Sequence, residues 1–313
     1  MSPRGEQSMV PEAEFESYYG RQIIKTPTWK TPDVPLYLFL GGLAGASAVL
    51  AEGAALTGRP DLERVARLAA AGGAAAGTVA LVHDLGRPER FLNMLRVLKP
   101  TSPLSVGAFV LASFSTMAGA AAASHVTGVM PRLGRLAGLG AAALGPPLAT
   151  YTAALIGNTA VPAWHDAHRE LPYIFGGSGA TAAGGLAMVF TPVAQAGPAR
   201  RMAVAGAAME IVAAERLLDR LGMVGEPYRT GRPGRLMSVS RTTTAVAAGA
   251  TLLLGRRSRV VSVLAGAACV GASVMTRFGI FEAGLASARD PKYTVVPQKE
   301  RLARRAEERR VGR

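Results

Sequence analysis

Long apolar runs separated by short polar segments dominate this chain. Six of them are clear, and each is long enough to cross a hydrocarbon layer of about 30 Å as a helix. Several carry at most one charged side chain. The pattern predicts an all-α polytopic membrane protein with spans at residues 35–56, 65–82, 106–123, 136–155, 171–190 and 260–278.

Two further runs are weaker because charged residues interrupt them. Residues 202–218 contain Glu210 and Glu215, and residues 236–254 contain Arg241. Hydropathy alone therefore leaves the number of spans between six and eight.

A weak internal repeat favours eight. LPYIFGG at 171–177 resembles VPLYLFLGG at 34–42, so that Tyr173 matches Tyr37, and Leu-Gly pairs recur at the same spacing. Repeated halves are common in membrane folds. The expected organisation is eight transmembrane helices in two four-helix bundles, with a polar N-terminal arm at 1–34, bundles at 35–156 and 157–286, and a basic C-terminal tail at 287–313.

Composition agrees with a membrane protein and narrows its chemistry. Of 313 residues, 49% are hydrophobic and 18% are charged, against about 25% charged in a typical soluble domain. The net charge of +14 comes mostly from Lys and Arg in the tail and in loops on the side of the termini. This distribution predicts cytoplasmic termini and no nucleic-acid partner. The single Cys269 excludes a disulfide framework, and the four histidines are not placed to hold a haem between two helices.

Ionisable residues inside the runs are candidates for function, because burying a charge in lipid is costly. Glu210 lies in the middle of its run and is a candidate for proton transfer or helix pairing. Glu52 is expected to reach an interface. Arg277 and Glu282 are expected to form an ion pair.

Residues 81–107 read LVHDLGRPERFLNMLRVLKPTSPLSVG and place a charged block between two spans. The pattern predicts a short amphipathic interfacial helix that starts near Pro88 and ends before Lys99-Pro100. Two interpretations stay open: an anchor to lipid headgroups, or a docking face for a soluble partner beside the mouth of a site. The docking residues are Arg87, Glu89, Arg90, Arg96 and Lys99.

Four segments together resemble the polysulfide reductase/NrfD-type family of membrane subunits. They are YLFLGGLAGAS after an upstream Trp29, DLGRPERFLNMLRVLKPTSPLSVG, YTAALIGNTAVPAW and GIFEAGLASARDPKYTVVPQKER. The resemblance implies eight helices in two four-helix bundles and neither haem, flavin nor metal in this chain. It implies a quinone, menaquinone or ubiquinone, bound near the start of the first helix. The residues at the matching positions are Asp33, Tyr37 and Tyr151.

The same resemblance implies partners on that face. A four-cluster ferredoxin-like iron–sulfur subunit would dock there and exchange electrons with a molybdopterin-type catalytic subunit. The expected location is a bacterial inner membrane, with membrane lipids around the spans. The chain itself would be a non-catalytic or quinone-reactive subunit.

The residues agree with this placement. Asp33 and Tyr37 are four apart, hence on one helical face at the membrane boundary. His83 and Asp84 end the second span at the same depth, where they are candidates for a proton relay. The alternative function is a transporter or ion-translocating subunit without a redox role, which the repeat and Glu210 would allow. A carrier, however, expects its polar site at mid-depth.

Overall fold

The computed structural model describes residues 23–86 and 89–311, and within them every regular element is a helix. In chain order the helices are α1 (Asp33–Leu56), α2 (Pro60–Asp84), α3 (Arg90–Asn93), α4 (Pro103–Thr127), α5 (Pro131–Gly157), α6 (Pro162–Asp166), α7 (Leu171–Phe190), α8 (Gly197–Leu221), a 3-10 helix (Gly222–Tyr228), α9 (Gly231–Leu253), α10 (Arg259–Arg289) and α11 (Lys292–Val311).

Proline and small capping residues define many of these boundaries. Pro60, Pro103 and Pro131 each begin a helix, where the missing N–H would have no partner in any case. The side chain of Ser102 caps α4 by accepting a hydrogen bond from the Ser105 N–H at 3.4 Å. Gly128 ends the same helix with a φ of 74°. The apolar runs are therefore delimited by ordinary helix signals.

Among the described residues, six helices are long and apolar enough to cross a membrane: α1, α2, α4, α5, α7 and α10. The two weak runs also fold as long helices, α8 and α9, but neither meets the same criterion of length and composition. The protein is therefore an all-helical, multi-pass membrane protein.

Helix contacts follow the same order in the two halves of the chain. In the first half, α1 packs on α2, α2 on α4, α4 on α5, and α5 returns to α1. In the second half, α7 packs on α8, α8 on α9, α9 on α10, and α10 returns to α7. Helix α1 also contacts α7 and α10, so it belongs to the interface between the halves.

Several helix crossings depend on paired glycines. A Cβ atom on Gly45 of α1 would lie 2.3 Å from the Gly145 oxygen of α5, and one on Gly185 of α7 would lie 2.6 Å from the Gly266 oxygen of α10. Water does not drive helix association in lipid, so close backbone approach and dispersion contacts must do so. The crossings α1–α5 and α7–α10 occupy equivalent places in the two halves.

All loops and helix ends fall on two faces of the molecule. The upper face is the one where α1, α4, α7 and α9 begin and α2, α5, α8 and α10 end; the lower face carries their other ends. Hydrogen bonds link ends on the same face: Arg59, before α2, donates to the Ala194 carbonyl between α7 and α8 at 3.3 Å. On the upper face, Arg220 of α8 donates to Glu170 ahead of α7 at 2.7 Å.

The predicted amphipathic helix near residues 88–98 is wrong in length. Helix α3 has four residues and continues as turns, with the N–H groups of Met94, Leu95 and Arg96 each bonded three residues back. A segment this short has little intrinsic helical stability. Its apolar side chains Leu92, Val97 and Leu98 are exposed.

Candidate functional site

Five of the residues predicted from the sequence lie together at the upper face: Asp33 and Tyr37 from α1, His83 and Asp84 from α2, and Tyr151 from α5. We call them the upper-face cluster. They converge because α1 begins on this face while α2 and α5 end on it. Asp33 occupies the first turn of α1, where a carboxylate is favoured by the helix dipole.

The acidic part of the cluster is a carboxylate–imidazole pair. His83 Nδ1 lies 2.7 Å from Asp33 Oδ2, and the His83 side chain is 72% exposed whereas that of Asp33 is 14% exposed. The imidazole therefore joins bulk solvent to a largely buried carboxylate. A carboxylate and an imidazole at this distance can share a proton.

Asp84 holds the segment before α1 against the end of α2. Its Oδ1 accepts a hydrogen bond from the Lys30 main-chain N–H at 2.9 Å, and Lys30 Nζ donates to the His83 carbonyl at 3.3 Å. Gly86, with a φ of 68°, turns the chain immediately after this contact. Asp84 therefore positions the mouth of the site.

The aromatic part of the cluster is a pair of tyrosines. The rings of Tyr37 and Tyr151 are 6.5 Å apart between centroids and inclined by 70°. Tyr37 is buried, with 5% of its surface exposed. Tyr151 lies against α4 at Gly107, where a Cβ atom would come within 2.0 Å of the ring. Gly107 is the last residue of the 81–107 stretch, where it carries no side chain that would mark it as part of a site.

A stack of three aromatic rings borders the segment that leads into α1. Trp29 stacks on Trp164 of α6 with 5.6 Å between centroids, and Phe281 of α10 lies 5.6 Å from Trp164 and 6.5 Å from Trp29. Trp164 also donates from Nε1 to the Ile280 carbonyl at 2.8 Å. The residues before α1 are thereby bound to the second half of the chain.

Tyr173, which the repeat matched with Tyr37, lies outside any such cluster. It is 61% exposed, whereas Tyr37 is buried. Tyr37 precedes the Gly41-Gly42 pair by four residues, but Tyr173 precedes Gly176-Gly177 by only three. One residue rotates a side chain by about 100° around a helix, so the second tyrosine faces outward.

The predicted docking residues are at the surface wherever the structure describes them. Glu89, Arg96 and Lys99 are exposed, and none of them forms an ion pair with another described residue. Arg87 and the side chain of Arg90 lie outside the described part of the chain. The upper face therefore presents exposed charges beside the cluster.

The start of the C-terminal helix is bound to the same face. Lys292 Nζ lies 3.0 Å from Glu226 Oε2 in the 3-10 helix. This hydrogen bond, with another to Tyr293, raises the pKa of Lys292. The hydrogen bonds of Glu226 to Lys292 and to Tyr293 lower the pKa of Glu226. Both side chains stay charged around neutral pH.

Glu210 belongs to a different place, a buried polar cluster among α7, α8, α9 and α10. Thr276 donates to Glu210 Oε1 at 2.6 Å, and Ser240 is 2.6 Å from Thr276. Glu210 Oε2 is buried without a hydrogen-bond partner among the described residues. It is therefore separate in the structure from the five residues of the upper-face cluster.

A small cavity is lined in part by Glu210. Its volume is about 20 Å³, enough for one water molecule, and its wall includes Thr244, whose buried hydroxyl also lacks a described partner. Beside it is a cleft of about 350 Å³ that shares Ile174 and Met237 with it. This cleft reaches Tyr228 at the upper face.

The ion pair expected between Arg277 and Glu282 does not form. Arg277 is fully buried: its guanidinium lies 3.7 Å from the centroid of the Phe175 ring and donates to the Phe175 carbonyl at 2.7 Å. Glu282 instead lies 3.4 Å from Arg232 of α9. Residues five apart point to different sides of a helix, which is why the predicted pair does not form.

The prediction for Glu52 is also wrong. Its side chain is buried rather than extended to an interface, and it lies 2.8 Å from Arg67 of α2 and 3.8 Å from Arg135 of α5. Arg67 also bonds Glu63 at 2.8 Å. The carboxylate is retained because the neighbouring helices supply cations, as a buried charge requires.

Comparison of the sequence with known protein families identifies the family of this chain. The polysulphide reductase NrfD family matches residues 24–197, more than half of the chain, and this region contains the whole upper-face cluster. No curated protein matches the sequence. The chain therefore belongs to the polysulphide reductase NrfD family, and it is a multi-pass membrane subunit of a redox complex.

Proposed function

We propose that this chain is the haem-free, quinone-interacting anchor of a multisubunit oxidoreductase, and that it exchanges electrons between a quinone pool and an iron–sulfur partner subunit. The observation that carries the proposal is the upper-face cluster, in which the solvent-exposed Asp33–His83 pair and the Tyr37–Tyr151 pair lie near the start of α1.

The donor set suits a quinone. Reduction of a quinone takes up two electrons and two protons at its two carbonyl oxygens, and oxidation releases them. The hydroxyl groups of Tyr37 and Tyr151 are hydrogen-bond donors, and their rings supply apolar surface. Asp33 and His83 hold a proton between the site and solvent. Menaquinone and ubiquinone both have the chemistry that such residues recognise.

We place this site in a protein of eight membrane spans arranged as two four-helix bundles, at 35–156 and 157–286, between an arm at 1–34 and a tail at 287–313. The parallel order of helix contacts in the two halves supports counting α8 and α9 as spans. The basic loops favour cytoplasmic termini in a bacterial inner membrane.

The upper face is the proposed docking surface for the iron–sulfur subunit, itself attached to a molybdopterin-type catalytic subunit. Glu89, Arg96 and Lys99 are exposed, form no ion pair with another described residue, and lie on the segment that follows His83 and Asp84. A carrier docked there would approach the cluster closely enough for electron exchange. Co-purification of an iron-containing protein from native membranes in mild detergent tests this partner.

Quinone binding is testable with the protein alone, because its only two tryptophans are the stacked Trp29 and Trp164 beside the cluster. A short-chain naphthoquinone, titrated into the detergent-purified chain, should quench their fluorescence with saturation. Asp33→Asn and Tyr37→Phe should each weaken binding by at least about fivefold, since each removes one interaction in a largely buried site.

Tyr173→Phe is the matched control, because this tyrosine is exposed in the other half of the chain. It should bind the naphthoquinone like the unmodified protein. Quenching that fails to saturate, or equal affinity in all variants, would contradict the proposed site.

The alternative, an ion-translocating subunit, rests on Glu210. The cavity for one water beside Glu210 adjoins a largely apolar cleft that reaches the upper face, and Glu210 has an oxygen without a described hydrogen-bond partner. In the redox proposal the same residue is a proton relay. Proteoliposomes containing the chain alone distinguish the two: proton flux that Glu210→Gln abolishes, without quinone or partner, would favour translocation.

A further inference from the structure

A second groove lies on the lower face, remote from the upper-face cluster. It has a volume of about 590 Å³ and forms where the α1–α2 turn, the start of α8 and the end of α9 meet. Its rim carries four guanidinium groups, those of Arg59, Arg200, Arg201 and Arg256.

The positive charge of this rim is not neutralised within the described chain. None of the four arginines forms an ion pair with a described carboxylate. The other three repel the charge on Arg200. Four converging cations without a counter-charge are unfavourable unless an anion joins them.

The hydrogen bonds of the rim leave donors unused. Arg59 Nη1 donates to the Ala194 and Gln195 carbonyls at 3.3 and 3.4 Å, and Arg200 Nη1 donates to the Val193 carbonyl at 2.9 Å. These bonds fix both side chains in place. Arg59 Nε remains buried without a partner, and no hydrogen bond of Arg201 or Arg256 is found in residues 23–86 and 89–311.

The groove continues from the rim as an apolar strip. Arg200, Val204 and Ala208 recur every four residues and therefore share one side of α8. Exposed Leu252 of α9 forms the opposite wall. The strip runs from the helix ends toward the membrane interior, so the groove has a cationic end and an apolar body.

We propose that this groove binds an anionic glycerophospholipid, with its phosphate among the four arginines and an acyl chain between α8 and α9. Guanidinium groups bind phosphate oxygens through paired hydrogen bonds, and basic pockets between membrane helices are typical sites for acidic headgroups. A free phosphate would satisfy the rim but would leave the apolar strip uncovered. The amphiphilic shape of the groove therefore selects a lipid.

The test uses the full chain, delipidated in a neutral detergent, with dioleoyl phosphatidylglycerol as the probe. Dioleoyl phosphatidylcholine and inorganic phosphate, at equal concentration, are the reference ligands. Native mass spectrometry measures retained lipid, and thermal unfolding measures stabilisation. Phosphatidylglycerol should be retained and should raise the unfolding temperature by several degrees, because a ligand that binds only the folded state stabilises it.

Arg200→Gln combined with Arg256→Gln should lower the affinity for phosphatidylglycerol by at least about tenfold, since two charged donors are lost. Arg132→Gln is the matched control: it removes an exposed arginine at the start of α5, on the same face but outside the groove. The elution volume and helical content of each variant establish that it is folded. If the double variant fails to fold, the affinity of Arg256→Gln for phosphatidylglycerol is compared with that of Arg132→Gln instead.

Three results would overturn the proposal. Equal stabilisation by inorganic phosphate would make the groove a free-anion site, and equal retention of phosphatidylcholine would remove the role of charge. An equal loss of affinity in Arg132→Gln would show that net charge, rather than this groove, attracts the lipid. None of these results bears on quinone binding at the upper-face cluster.

Discussion

Tyr151 lies against α4 at a position where only a hydrogen atom fits. Gly107 provides that position, and the ring it accommodates is one of the two that form the aromatic part of the upper-face cluster. Gly107 has no functional group of its own, yet it determines where the ring of Tyr151, a proposed quinone-binding residue, lies.

We expect Gly107→Ala to displace the Tyr151 ring, because the new methyl group would lie 2.0 Å from a ring carbon. Overpacking of this kind costs about 1–3 kcal/mol in stability. Affinity for a naphthoquinone should fall by about tenfold if the ring shifts away from Tyr37. Fluorescence quenching and thermal unfolding measure the two effects.

The control is Gly119→Ala in the same helix, where an added Cβ meets nothing within 4 Å. Its stability should be unchanged or higher by up to about 1 kcal/mol, as alanine favours the helix. Loss of quinone affinity in Gly119→Ala as well would mean that α4 as a whole, rather than Tyr151, governs binding.

Arg277 is the buried charge whose removal should be most damaging. Arg277→Met removes the donor to the buried Phe175 carbonyl and the cation over the Phe175 ring. A buried acceptor left without its partner costs about 1–3 kcal/mol. Thermal unfolding in detergent should show a large decrease, whereas Arg235→Met at an exposed position of α9 should change little. Equal, small effects would indicate that water already solvates Arg277.

The structure brings five of the residues named from the sequence to one face, because helix ends decide their depth; that they form a site stays a prediction. Asp33 and Tyr37 share a face by spacing, and His83 and Asp84 end the next span. The interfacial position expected for Glu52 and the ion pair expected between Arg277 and Glu282 were wrong, because the actual contacts of both residues come from other helices. Gly107 escaped notice for the same reason, since its importance comes only from the ring above it.

At the scale of helices, the crossing of α1 and α5 should be the sensitive one. Gly45→Ala would bring a methyl group to 2.3 Å from the Gly145 oxygen, a backbone atom that cannot rotate away. The helices must separate, at a cost of about 1–3 kcal/mol. Gly53→Ala, in open space on the same helix, is the control for thermal unfolding. Equal stability of the two variants would show that the crossing is loose.

Helix existence was easier to predict than helix length. The two weak runs do fold as the long helices α8 and α9. Neither is among the candidate spans found in the described residues, so the eight spans that the repeat favours stay a prediction. The helix after His83-Asp84 was predicted too long, because its amphipathic pattern is realised by turns with exposed apolar side chains. Short segments take their conformation from their surroundings more than from their own pattern.

For the whole molecule, the number of spans determines where the α8–α9 turn lies. With eight spans, Met223 in that turn is on the same side of the membrane as Lys99. With six, the turn would be on the other side, together with Thr57. Cysteines introduced singly at these positions, after Cys269→Ala removes the native thiol, can be labelled with an impermeant maleimide in sealed vesicles.

We expect positions 99 and 223 to react from one side and position 57 from the other. Cys269 is buried in α10, and alanine there is a small change. Reaction of position 223 together with position 57 would reduce the count to six spans and would place the cleft beside Glu210 on the opposite side of the membrane.

The position of α1 has a consequence for biosynthesis. Of the six apolar helices in the described part of the chain, α1 is synthesised first and α10 last, yet the two are in contact. Between the two events α1 must wait in the membrane with one side unfilled, and Arg277 arrives only when Phe175 is already in place. Nascent chains lacking α10 should therefore be recognised as incomplete by membrane proteases, and assembly with a partner at the upper face can begin only after translation is nearly finished.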